Sequence, residues 1–113
     1  MNYFRIKKQA DFKKLFSKGK RLYSPSFTLL YIPSKKTRMG ISVGKKHGKA
    51  FKRNKIKRLF REAFRTSVPL LKNTYSFIFI PKAEKEYSFH DLQKELSFLF
   101  QKESLWEWGY RLY

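Results

Sequence analysis

Residues 38–67 read RMGISVGKKHGKAFKRNKIKRLFREAFRTS, and the period of the pattern changes partway along. From Arg38 to Gly44 the side chains alternate. Met39, Ile41 and Val43 fall on one face and only Gly40, Ser42 and Gly44 on the other, the period-2 signature of a half-buried strand. From about Lys49 to Ser67 the apolar residues recur at helical spacing instead. At about 100° per residue, Ile56, Leu59, Phe60, Ala63 and Phe64 share one side, and Pro69 stops the helix. A near-continuous apolar run, Thr74 to Ile80, follows; it predicts a strand buried on both faces, at the centre of a sheet. Strand, helix and strand in series predict a parallel crossover.

Working outward, a first helix is expected from about Lys8 to Lys18, with Phe12, Leu15 and Phe16 on one face and Gly19 at its end. A strand from Ser26 to Ile32 sets Phe27, Leu29 and Tyr31 against Thr28, Leu30 and Ile32, and Pro33 closes it. The loop Pro33 to Thr37 is short enough for this strand and the next to form a hairpin, and a brief extra strand fits Lys20 to Tyr23. On the C-terminal side, Ser88 and Asp91 give a helix-start signal for about Phe89 to Lys102, whose apolar stripe is Phe89, Leu92, Leu96 and Leu99. The order is α-β-β-α-β-α, which predicts an α+β fold, a two-layer α-β sandwich with one sheet. One domain is expected over residues 1–113, with an aromatic-rich tail from Ser104 to Tyr113 that carries Trp106 and Trp108 and suggests no role.

The chain has 113 residues, 42% hydrophobic and 19% aromatic, enough to build a core, yet its formal net charge is +19. Between Phe12 and Arg61 there are seventeen Lys or Arg and no Asp or Glu, whereas from Glu62 to Tyr113 there are seven of each sign. Such a block repels itself, so a polyanionic partner is the natural physical explanation. The absence of cysteine excludes disulfides and thiolate metal sites and fits a reducing compartment. No apolar run is long enough to span a membrane, and Met1 to Lys8 lacks the apolar stretch of a signal peptide. Cytoplasmic residence is expected, with no membrane partner.

Protein-borne catalysis is poorly supplied. His47 and His90 are far apart and lack zinc-ligand spacing. Asp11 is the only acid before Glu62, so the basic half offers no carboxylate cluster to hold a metal ion against phosphate. Neither a catalytic residue nor a metal ligand is therefore expected. The pattern that stands out runs from Lys45 to Glu62. Lys45, Lys46, Lys49, Arg53, Lys57, Arg58, Arg61 and Arg65 are candidate phosphate contacts. Arg53, Lys57 and Arg61 repeat at four-residue spacing, which repels within an isolated helix and is relieved when phosphates release their counterions. Asn54 adds a neutral group that both donates and accepts, suited to an RNA hydroxyl or a metal-bound water.

Lys45-Lys46, Gly48, Ala50, Arg53-Asn54, Lys57-Arg58 and Arg61-Glu62 together closely resemble the arginine-asparagine signature of the bacterial ribonuclease P protein family. The resemblance extends upstream through Asp11-Phe12, Phe16, Gly19 and Arg38 to Val43, and downstream to Ile78–Lys82, covering about Lys7 to Lys102. It implies an α-β sandwich with a left-handed β-α-β crossover, an exception to the usual hand. It also implies a catalytic RNA subunit that holds Mg²⁺ and cuts the 5′ leader from precursor transfer RNA. The protein would then be a monomer in the complex, with its basic helix against the catalytic RNA and a cleft between the first helix and the sheet for the leader.

For that cleft, Gly40 and Ser42 leave one sheet face shallow enough for RNA to approach. Phe12 and Phe16, one helical turn apart, fit either base stacking or the core, and Lys82 is a candidate phosphate contact at the rim. Leu30 occupies the position where some relatives carry a cleft aromatic, and Tyr31 is expected to point the other way. A ribosomal protein or a general RNA chaperone is the alternative function. A protein-only nuclease conflicts with the missing acidic cluster.

Overall fold

The computed structural model describes residues 3–83 and 86–106. Its elements are β1 (Phe4–Arg5), α1 (Gln9–Lys18), β2 (Lys20–Tyr23), β3 (Phe27–Pro33), β4 (Arg38–Ile41), α2 (Ala50–Ser67), β5 (Tyr75–Pro81) and α3 (Phe89–Lys102). Short 3-10 turns at Lys45–His47 and Val68–Leu70 flank α2. The five strands form one sheet in the order β1-β4-β5-β3-β2.

The apolar run that predicts a central strand is β5, buried along nearly its whole length. It pairs antiparallel with β3, from Phe27 opposite Pro81 to Pro33 opposite Tyr75, and parallel with β4, from Arg38 opposite Ser76 to Ile41 opposite Phe79. The expected parallel crossover is therefore β4-α2-β5. The hairpin expected of β3 and β4 does not form, because β5 lies between them and takes a hydrogen-bonded edge from each. A strand apolar on both faces gains most with a neighbour on either side, and that outweighs the short loop. The loop instead passes the start of β5, where the Ser34 N–H donates to the Thr74 carbonyl at 3.1 Å. Buried Ser76 is satisfied there, accepting from Arg38 Nε and donating to Ser34 Oγ, both at 2.9 Å.

The two sheet faces build unlike cores. One face presents Phe27, Leu29, Met39, Phe77 and Phe79 to Phe60 and Phe64 of α2 and to Leu92, Leu96 and Phe100 of α3. Phe64 lies edge-on to Phe77 at 5.3 Å between ring centres, and Phe27 meets Phe60 edge-on at 5.6 Å, the geometry favoured by ring quadrupoles. The other face is smaller and mostly aliphatic: Leu30 and Ile78 carry Leu15 of α1, with Ile6 beside them. Gly19 ends α1, as expected. Its backbone passes so close to the Leu15 carbonyl that a Cβ would sit 2.6 Å from that oxygen. α3 starts at Ser88, whose hydroxyl accepts from the Asp91 N–H at 3.1 Å, the predicted cap.

The brief strand at Lys20–Tyr23 forms the outer edge beside β3. β1 was not anticipated. It is pinned from both sides, by Tyr3 packing edge-on against Phe64 at 5.0 Å and by Ile6 in the smaller core. β4 ends at Ile41, short of Gly44, although the Ser42 N–H still reaches the Phe79 carbonyl at 2.8 Å. Of the aromatic tail, Ser104 to Trp106 are described. Trp106 is buried, bridges to Leu71 and packs against Phe100 at 5.8 Å. Residues 107–113, including Trp108, lie outside the described residues.

Two carboxylates tie α3 to the β2–β3 edge. Glu95 accepts from the Ser26 N–H at 2.8 Å, from the Ser26 hydroxyl at 2.6 Å and from the Ser24 hydroxyl. Glu103 lies 2.6 Å from Lys20 Nζ and accepts from the Tyr31 hydroxyl at 2.8 Å. The hydrogen-bonded Lys20 ammonium, with the Tyr31 hydroxyl as a lesser contributor, holds the Glu103 carboxyl below the usual carboxylate range. Burial, then the carboxylate beside it, pushes the Tyr31 phenol up. Because the Glu103 value is depressed on folding, its contribution is present above the unfolded carboxylate value of about 4.3. It is lost as pH falls through the lower folded value. Glu103→Gln should therefore melt earlier than the parent at pH 7, and the gap between their melting temperatures should narrow as the buffer is acidified from pH 5 to pH 3. A constant gap across that series would remove this ion pair from the stability balance.

Candidate RNA interface

α2 divides its circumference as the spacing predicts. Phe60, Ala63, Phe64 and Ser67 are buried, and Ile56 and Leu59 pack partly against the same core. The candidate cations lie around the rest. Asn54, Arg58 and Arg65 are exposed; Arg53, Lys57 and Arg61 are half-buried. Their aliphatic stems run along the helix flank. The Arg53 Nε is enclosed without a hydrogen-bond partner. Lys45 and Lys46 are exposed on the turn before α2, and Lys49 stands at its N-terminal boundary. Arg65 Nη2 pairs with Glu62 Oε2 at 2.8 Å, which raises the Arg65 pKa. An exposed pair of this kind is weak, about 0–1 kcal/mol, so the guanidinium can exchange Glu62 for a phosphate.

The structure adds cations that the sequence pattern did not assign to this surface. Met39 faces the larger core, and Arg5, opposite it in the β1–β4 register, faces the same side. Arg5 joins Asn54, Arg58, Arg61 and Arg65 around a groove of about 510 Å³. Burial, and secondarily the like charge of Arg5, lowers the Arg61 pKa. A second groove of about 290 Å³ continues from Arg5 and Arg61 to Lys7, Lys57 and the Phe12–Gly40 contact. Nothing local in Tyr3-Phe4-Arg5-Ile6 announces β1, so Arg5 reaches this surface only through the pairing of β1 with β4.

On the opposite face, the candidate leader residues separate. Leu30 is completely buried beneath α1, which corrects its expected place on the binding surface: its side chain belongs to the smaller core. Tyr31 faces the larger core, as its alternation predicts. The shallow area over Gly40 is filled rather than open. A Cβ there would sit 2.8 Å from the Phe12 ring, so Gly40 makes room for α1, and Phe12 is half-buried against the smaller core. Phe16 is on the exposed side of the division, with 39% of its surface accessible.

An aromatic residue missed at this face is Tyr23, 71% exposed. Its register partner is Thr28, itself opposite Ile80, so alternation puts Tyr23 on the α1 side of the sheet, at the end where β5 leads into Lys82. The exposed Lys82 is held there by its N–H donating to the Ser26 carbonyl at 3.0 Å. Among the described residues, no three His, Cys, Asp or Glu side chains converge to hold a metal ion, and no helix is long and apolar enough to cross a membrane.

Both the sequence and the fold have counterparts. The ribonuclease P family model matches residues 1–104. The ribonuclease P protein component of Bacillus velezensis is 38% identical over 106 residues, covering 91% of this chain and 91% of that protein. The solved RNase P protein of Staphylococcus aureus superimposes with a TM-score of 0.78 at 31% identity, covering 92% of this chain and 98% of its own. That of Thermotoga maritima gives 0.76 at 30% identity, with coverage of 87% and 96%. A basic α2, a five-stranded sheet and a sequence match over nearly the whole length lead to one assignment: this chain belongs to the ribonuclease P protein component family.

Proposed function

We propose that the chain is the protein subunit of a ribonucleoprotein ribonuclease P and assists 5′ maturation of transfer RNA by holding two RNAs on two surfaces. The turn at Lys45–His47 and the basic side of α2 meet the catalytic RNA, through Lys45, Lys46, Lys49, Arg53, Asn54, Lys57, Arg58, Arg61 and Arg65, with Arg5 added from β1. The sheet face beside α1 takes the single-stranded leader of precursor transfer RNA, with Phe16 and Tyr23 for stacking and Lys82 for phosphate.

The observation that carries this reading is the groove where Arg5, Arg58 and Arg61 converge with Glu62 already engaged by Arg65. Three guanidinium groups gathered there are unfavourable until a polyanion arrives, and released counterions then favour the complex. In this reading the phosphodiester chemistry and its Mg²⁺ reside with the RNA. The protein contributes charge neutralisation and placement of the substrate, as a monomer, in the cytoplasm.

Cleavage of precursor transfer RNA at low Mg²⁺ tests the assignment. The protein with its catalytic RNA should cut, the RNA alone should cut slowly, and the protein alone should not cut at all. Metal-dependent cleavage by highly purified protein, abolished by replacing one acidic residue, would overturn it. On the basic surface, Arg58→Ala and Arg61→Ala should each weaken binding to the catalytic RNA and lower the magnitude of the logarithmic salt slope by about one. Unchanged slopes in both variants would mean that α2 does not touch the RNA.

The leader face separates by stability. Phe16→Ala and Tyr23→Ala should each lose on the order of 1–3 kcal/mol of binding, only for substrates with a leader and with melting temperatures close to the parent's. Phe12→Ala should instead destabilise the fold by about 2 kcal/mol, below the roughly 3–5 kcal/mol of a fully buried Phe, and weaken both substrates together. Undiminished leader preference in stable Phe16→Ala and Tyr23→Ala proteins would remove stacking from the account.

A further inference from the structure

His47 is a buried polar side chain that neither RNA surface uses. It is only 7% exposed, although Lys45 and Lys46 beside it are open to solvent. Its Nδ1 accepts from the Gly44 N–H at 3.2 Å, and its Nε2 lies 2.7 Å from the Pro81 carbonyl oxygen. A carbonyl only accepts, so Nε2 carries the proton and Nδ1 the lone pair. One tautomer thus closes the turn on itself and fastens it to the end of β5. Gly48 follows with φ of +102°, a conformation that side-chain-bearing residues rarely adopt, and turns the chain into α2 against the stem of Lys52.

Several cations lie on the described segments next to the ring: Lys45 and Lys46 on the turn, Lys49 and Lys52 at the start of α2, and Lys82 just past β5. The phenol of Tyr87 donates to the Lys82 carbonyl beside this junction. Ammonium groups gathered on so short a turn push it away from the body of the protein. A neutral imidazole resists that push without adding charge, and it does so from beneath, leaving both lysines free for phosphate.

We propose that His47 is a positioning residue for RNA assembly: through its bond to Pro81 it fixes the Lys45–Lys46 turn in register with the basic side of α2. The inference rests on the reading that this surface contacts the catalytic RNA. It assigns His47 no contact with RNA and no part in holding the sheet together.

The test is a double-mutant cycle on the full chain, measuring affinity for the catalytic RNA together with thermal unfolding. His47→Asn places an amide oxygen near the Nδ1 position, preserving the bond within the turn, but is too short to reach Pro81. His47→Gln reaches Pro81 with an amide N–H. His47→Asn should weaken binding about tenfold, a coupling of the size found within one interaction network, and His47→Gln should stay within about twofold of the parent by the same measure. In a Lys45→Ala/Lys46→Ala background, His47→Asn should have no further effect.

Equal weakening by His47→Asn with and without the two lysines would overturn the inference, and so would parent-like binding by His47→Asn. A His47→Asn chain that fails to fold would overturn it too, since the tie is assigned to the turn and not to the sheet. If instead the Lys45→Ala/Lys46→Ala protein binds with the parent's affinity and salt slope, the surface reading itself is wrong and the role of His47 falls with it.

Discussion

Burial of β5 is the constraint from which the rest follows. A strand carrying Tyr75, Phe77 and Phe79 on one face and Ile78 and Ile80 on the other requires a neighbour along each edge and a cover over each face. β3 and β4 supply the edges and are held apart by doing so. The aromatic face is wide enough for α2 and α3 together, whereas the aliphatic face takes only α1. Because α2 spends its apolar side on the aromatic core, its cations have nowhere to go but outward. Because α1 covers the aliphatic face only in part, Tyr23 and, just past β5, Lys82 remain open beside it. The two proposed RNA surfaces are thus what is left over when one strand is buried from both sides.

Much of this was legible because the relevant patterns are local. The switch from period 2 to period 3.6 between Gly44 and Lys49, the unbroken apolar run at β5, the Ser88–Asp91 cap and the stop at Pro69 each depend on a few adjacent residues. Strand pairing does not. A short loop between β3 and β4 predicts a hairpin, and nothing near that loop announces that β5 will lie between them. β1 was missed for a related reason. Two residues of strand carry little periodic signal, and Phe4–Arg5 is held by partners more than thirty positions away, Arg38 and Met39 along the chain edge.

The candidate sites follow the same division. The α2 cations can be read from one helix, and the structure keeps them on its outer side. The proposed leader face draws on α1, β2 and the residue that follows β5, so its members depend on register. Leu30 leaves the binding surface and Tyr23 joins it, because Leu30 sits beneath α1 while Tyr23 emerges past it. Gly40 looked like open space in the sequence but is space for the Phe12 ring, a distinction that only packing can make. His47, which lacks metal-ligand spacing, has its place explained by two backbone partners, one of them thirty-four positions away.

The central claim is that one small basic domain holds the catalytic RNA and the leader on separate surfaces at the same time. Photocrosslinking in the assembled ternary complex tests it most directly, with photoreactive bases placed either in the catalytic RNA or in the leader and the crosslinked peptides identified by mass spectrometry. Catalytic-RNA probes should attach to peptides from Lys45 to Arg65, and leader probes to peptides carrying Phe16, Tyr23 or Lys82. Leader probes attaching to α2, or both sets of probes attaching to the same peptides, would contradict the account.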